Sequence, residues 1–225
     1  MNRFQLFKKI MSEKRLSPLK LGVLVSGNGT NLQALIEASQ QETLQADVTL
    51  VISDNPEATA VTRAKNEKIP VAIIEPSQFN NREAFEDRLA ELLEKAAVDL
   101  VVLAGFMRLL SPAFVKKFKG RLVNIHPALL PAFPGLHVIQ KAFDDGVRYT
   151  GVTVHFVDEG TDTGPIIAQA VVPIEPEDSL ESLEQKIHVK EHKLYPAVLQ
   201  LFAEGRVQYP TRGRRVMIQK KGGTL

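Results

Sequence analysis

The sequence predicts an α/β fold: an open, mostly parallel twisted sheet with helices on both faces, completed by an antiparallel hairpin and a long C-terminal helix. Three observations predict it. From Leu19 to His126, short apolar runs of strand length alternate with segments of helical periodicity, the pattern of parallel strands covered on both faces by crossover helices. Beyond Gly146, two segments of alternating apolar residues are joined by the short loop DEGTDTG, as antiparallel partners are. From about Ser179 to Phe202 the chain then keeps a helical period.

In chain order, the first strand is read at 19–27 (LKLGVLVSG) and the first helix at 31–40, where apolar residues recur at helical spacing. A second strand follows at 47–53, a second helix at 59–67 and a short third strand at 70–74. The stretch 82–97 places Phe85, Leu89, Leu92, Leu93 and Ala96 on one helical face. A central strand at 99–105 leads to a helix at 111–118, entered through a capping Ser111 and Pro112 at its first position. The fifth strand, 121–127, has a polar end, and a helix at 138–146 stops at Gly146 before hairpin strands at 150–157 and 165–174. This order is Rossmann-like. No repeat, low-complexity tract or flexible linker divides it, so one domain is expected at 19–209, with a flexible extension at 1–18 and a tail at 210–225.

Composition narrows the function. Hydrophobic residues at 44% and charged residues at 24% are globular values and exclude a disordered or fibrous chain. With Cys 0 there is no disulfide scaffold, thiolate nucleophile or cysteine-held metal, which permits a reducing compartment; a cytoplasmic setting is expected. The 28 basic and 26 acidic side chains nearly cancel, which argues against a nucleic-acid partner. No apolar run approaches the roughly 18 residues of a membrane-spanning helix. The first eighteen residues lack the continuous apolar core of a secretory signal. Small molecules are the expected partners.

Ligands of open α/β sheets sit beyond the carboxyl ends of the strands, so the polar residues at those ends are the candidates. Ser26-Gly27-Asn28-Gly29-Thr30-Asn31 joins the first strand to a helix, a layout in which backbone N–H groups meet an anion and Thr30 and Asn31 cap the helix. It is neither G-x-G-x-x-G nor a P-loop, and an ordinary Gly-rich turn fits it as well. Asp54 reads better as a turn former than as a ribose-binding acid. Asn124 and His126 are two apart at the end of the fifth strand and share a face, an amide beside an imidazole suited to stabilising an oxyanion and moving a proton. Asp162, in a loop with glycines on both sides, is a candidate to fold back toward His126, where a carboxylate favours the imidazolium. His155, mid-strand, leans toward the cleft. His188-Val189-Lys190-Glu191-His192 matches the zinc-peptidase pattern H-x-x-E-H, but Glu191 shares the apolar line of Leu183, Ile187, Leu194 and Val198, so a ligand amine or a backbone donor is a better expectation than a metal.

At SGNGTNLQ, AGFMRLLSP, NIHP-LLP-FPGLH and DTGPI, four segments in order from Leu19 to about Tyr209, the chain resembles the phosphoribosylglycinamide formyltransferases, the folate-dependent glycinamide ribonucleotide transformylases of purine synthesis. The resemblance implies a formyltransferase fold, with Asn124, His126 and Asp162 as the catalytic trio. It implies Gly29, Thr30 and Asn31 as the ribonucleotide phosphate site, with Asn124, His188 and Glu191 also on the nucleotide. It assigns Arg82, Met107, Arg108, Leu109 and Leu110 to the folate, closed over by Asp158, Glu159, Gly160, Thr161 and Asp162. Ala128 stands where relatives often have Ser. The implied co-substrate is 10-formyltetrahydrofolate, without a metal, in a monomer or homodimer. A formyltetrahydrofolate deformylase, a tRNA-formylating enzyme and a non-catalytic nucleotide-binding module are the competing readings.

Overall fold

The structure, a computed structural model, describes residues 17–220. The extension expected over 1–18 lies, up to residue 16, outside the described residues, as do the last five positions of the tail.

The first strand, β1 (Leu19–Val25), is followed by α1 (Thr30–Gln40), β2 (Ala46–Ser53), α2 (Thr59–Asn66) and β3 (Val71–Ile73). Then come α3 (Arg82–Lys95), β4 (Leu100–Leu103), α4 (Pro112–Lys117) and β5 (Leu122–His126). The second half holds α5 (Val138–Asp144), β6 (Tyr149–Phe156), β7 (Ile166–Pro173) and α6 (Leu180–Ala203). Seven strands form one sheet in the order β3-β2-β1-β4-β5-β6-β7. The pairs among β1 to β5 are parallel, whereas β6 runs antiparallel to β5 and β7 antiparallel to β6. This is the predicted Rossmann-like sheet with its hairpin and closing helix.

Alternation along the strands divides the core. Val23, Val25, Val51, Val102 and Val123 belong to one apolar cluster with α1, α2 and α6, while Leu24, Ile52, Val101, Leu103 and Leu122 belong to the other with α3 and α4. Burying each such side chain contributes about 1.5–3 kcal/mol, so apolar packing holds helices on both faces of the sheet. Caps set the helix starts. Asn81 accepts from Ala84 N at 2.8 Å ahead of α3, Ser111 accepts from Phe114 N at 3.2 Å ahead of α4, and Ser179 and Ser182 form a capping box at α6. At the middle of α6 the fully buried Tyr195 donates its hydroxyl to Leu103 O at 2.9 Å, fastening the helix to the end of β4.

Two short strands, β8 (Val207–Gln208) and β9 (Met217–Ile218), pair as an antiparallel ribbon across the 209/210 boundary drawn from the sequence. Arg206 and Gln219 exchange backbone and side-chain hydrogen bonds at its base.

Candidate active site

The strand order turns back between β1 and β4, so the crevice of the sheet lies between the loops that follow these two strands. The first of them, 26–29, ends in Gly29 with φ 69°, a left-handed conformation that glycine adopts without a steric cost. A Cβ there would lie 2.8 Å from the Ala60 backbone, so glycine is also required by the close approach of α2. Gly29 is itself the N-cap of α1, and among the described residues no side chain caps it. The expected capping by Thr30 and Asn31 is therefore corrected. Thr30 opens the helix, and Asn31 turns its amide away from the backbone, donating from Nδ2 to Glu191 Oε2 at 3.2 Å. With the first helical rung running from Gln33 N to Gly29 O, the N–H groups at the start of α1 are left for an anion.

Glu191 is buried on the inward side of α6, as its place in the apolar line predicted. The same Oε2 accepts from His188 Nδ1 at 2.9 Å, and this hydrogen bond raises the His188 pKa above its usual value. His188, Glu191 and Asn31 thus form one chain leading to the start of α1. The H-x-x-E-H spacing serves this hydrogen bond, and His192 stacks on His188 with ring centroids 6.2 Å apart.

The second loop, 107–111, is held at four places. Met107 N donates to Ser26 Oγ at 3.0 Å, and Arg108 Nε reaches Asp54 Oδ2 at 2.5 Å while its guanidinium lies 5.9 Å from the centre of the Phe85 ring. Arg82 Nη2 donates to Leu109 O at 2.5 Å, and Ser111 is bound through its N–H and hydroxyl to Glu86. Asp54 is therefore neither a ribose acid nor a simple turn former but the ion partner of Arg108. Held in this way, the loop keeps Met107 66% and Leu109 68% exposed, an apolar lip on the crevice. Leu110 departs from the other two, being partly buried against the α3–α4 cluster.

The polar end of β5 lies beside β4, the strand from which the second loop leaves. Asn124 and His126 share a face with Leu122, and opposite them in the β6 register stand His155 and Thr153. His126 Nε2 donates to Phe133 O at 2.8 Å; a carbonyl only accepts, so this nitrogen carries a proton and Nδ1 is the one left facing Asp162 Oδ2, at 3.5 Å. Asp162 comes from the hairpin loop. It has φ 53°, and its Oδ2 also accepts from Gly135 N at 2.9 Å. The loop closes tightly at Gly164, where a Cβ would fall 1.6 Å from Phe156 O. Asp158 Oδ1 braces it by accepting from Thr163 Oγ1 at 2.6 Å and Gly160 N at 3.1 Å, leaving Glu159, Gly160 and Thr161 at an exposed tip.

His155 is the residue that sequence reasoning undervalued. Its Nδ1 donates to Phe156 O at 2.8 Å, while Nε2 lies 3.3 Å from Asn124 Nδ2 and 3.7 Å from Asp162 Oδ1. Burial pushes its pKa down, outweighing the raising effect of Asp162. The antiparallel pairing of β5 with β6, which sets His155 opposite Asn124, was the available signal. Ala128 is fully buried, and its carbonyl, not its side chain, accepts from Thr153 Oγ1 at 2.7 Å.

Comparison with known proteins identifies the family of the chain. The model of the formyl transferase family matches residues 19–199. Phosphoribosylglycinamide formyltransferase of Bacillus subtilis is 44% identical over 80% of this chain and 92% of its own length, and the Escherichia coli enzyme of that name is 43% identical over 84% and 90%. The trifunctional purine biosynthetic protein adenosine-3 of Drosophila melanogaster is 48% identical over 88% of this chain, which spans 15% of that longer protein. The crystal structure of glycinamide ribonucleotide transformylase 1 from Symbiobacterium toebii superposes with a TM-score of 0.87 at 43% identity, covering 92% of this chain and 96% of that one. The chain, an α/β sheet with the Asn124–His126 pair at the end of β5, belongs to the formyl transferase family.

Proposed function

We propose that the chain transfers the formyl group of 10-formyltetrahydrofolate to the amine of 5'-phosphoribosylglycinamide, giving formylglycinamide ribonucleotide and tetrahydrofolate in de novo purine synthesis. One observation carries the reading: Asn124, His126 and Asp162 converge at the end of β5, in the same sheet as the uncapped helix start after β1 and the braced apolar loop after β4. A phosphate fits the first, where α1 offers unbonded N–H groups and the positive end of its dipole. A flat, partly apolar folate fits the second, where Met107 and Leu109 stand exposed beside the guanidinium of Arg82.

The co-substrate supplies an activated formyl carbon, and the side chains do the rest. Asn124 has two amide hydrogens; one faces His155 Nε2, and the other donates to the formyl oxygen as it becomes negative. His126, anchored through Nε2 to Phe133 O, presents Nδ1 as the second donor when protonated. Asp162 provides the countercharge for that imidazolium from 3.5 Å and does not take a proton from the substrate. The proton lost by the attacking amine passes to the departing nitrogen, directly or through water. Arg108, tied to Asp54, serves the folate side by holding the loop, and the 158–162 loop closes over it. His188 and Glu191 serve the nucleotide.

In this reading the partners are small molecules in the cytoplasm, not nucleic acid or membrane, and the chain acts without a metal as a monomer or homodimer. Among the described residues, no helix is long and apolar enough to cross a membrane. The test is to mix the protein with 10-formyltetrahydrofolate, with and without the ribonucleotide, and follow formyl loss. Loss that depends on the nucleotide supports transfer, and equal loss without it points to a deformylase.

A further inference from the structure

Glu86 is 4% exposed on the inward side of α3, where a carboxylate is costly to desolvate unless its oxygens are filled. Three donors fill them: Arg82 Nε at 2.9 Å, Ser111 N at 2.8 Å and Ser111 Oγ. Two belong to the residue at which the 107–110 loop ends. The third belongs to Arg82, which continues through Nη2 to Leu109 O. One carboxylate therefore grips the loop at Ser111 directly and at Leu109 through Arg82.

We propose that Glu86 is a positioning residue for the folate side of the cleft: without touching the co-substrate, it sets the 107–111 loop and the Arg82 guanidinium in the geometry that receives it. This rests on the assignment of that loop to the folate under Proposed function. Charge suits the task, because hydrogen bonds to an ionised acceptor are about twice as strong as neutral ones and fix three donors about one point. The bland role for Glu86 is to support the junction of α3 with the start of α4, which Ser111 caps. That role alone would lower stability without favouring one ligand.

Glu86→Gln separates the two. Its Oε1 can still accept from Arg82 Nε and Ser111 N and its amide nitrogen can donate to Ser111 Oγ, so the substitution keeps the contacts and removes the charge that strengthens them. The expected result is a rise of about 10-fold in KM for 10-formyltetrahydrofolate, with KM for the ribonucleotide within about twofold of wild type. Glu86→Asp keeps the charge but withdraws it by one methylene, and should raise the same KM less. If Glu86→Gln does not fold, Glu86→Asp decides by the same pair of constants. Equal rises in both KM values, or a lowered unfolding temperature with folate KM unmoved, overturn the positioning role. Wild-type protein that transfers no formyl group overturns the functional reading itself; a wild type that does, beside a variant with unchanged folate KM, overturns only the inference about Glu86.

Discussion

Asn124 on β5 and His155 on β6 are partners across the antiparallel register, and Asn124 Nδ2 lies 3.3 Å from His155 Nε2. Because His155 Nδ1 gives its proton to the Phe156 carbonyl, Nε2 can accept, and the amide of Asn124 is held in one orientation. Replacing His155 by Phe keeps the bulk and removes the acceptor. The expected result is a fall in kcat of about 10- to 100-fold with both KM values near wild type, measured by steady-state kinetics.

The same histidine makes stability depend on pH. Burial lowers its folded pKa below 6.5, so the unfolded chain binds the proton more readily. The stability contributed by the neutral ring is complete above pH 6.5 and is lost as pH falls through that value toward the folded pKa. Urea unfolding between pH 7.5 and 5 should show wild type losing more stability than His155→Gln; parallel losses would refute the buried neutral ring.

His188 has the opposite sign. Its hydrogen bond to Glu191 raises the folded pKa above 6.5, so the charged pair is fully present below that pH and disappears as pH climbs through the raised value. NMR titration should place His188 above 6.5 in wild type and lower in Glu191→Gln. Coincident titrations would show that the pair does not form in solution.

Asn31→Leu removes a donor to Glu191 beside the start of α1. KM for the ribonucleotide should rise at least about 10-fold, and that for the folate should stay near wild type. Equal effects on both would move the phosphate elsewhere.

The sheet and its helices were legible because periodicity reports burial on one or both faces, and the two-residue spacing of Asn124 and His126 put them on one face before any strand pairing was known. Contacts between distant segments were not legible. Nothing local sets Glu86 apart from the other charges of α3, and the donors that fill its carboxylate come in part from Ser111, 25 residues away. Asp54 read as a turn former because nothing local shows that Arg108, 54 residues on, arrives beside it. Asn31 read as a cap because Asn favours that role, and the draw of Glu191 comes from α6, 160 residues later.

The central claim is that Asn124, His126 and Asp162 together carry the formyl transfer, and Asp162→Asn tests it most directly in a single-turnover experiment with both ligands saturating. The asparagine retains an oxygen able to accept from Gly135 N but loses the charge that faces His126 Nδ1. The account predicts a rate of formyl transfer lower by about 100-fold or more, with the affinities for ribonucleotide and folate analogue unchanged by calorimetry. A variant that transfers the formyl group at the wild-type rate would contradict it.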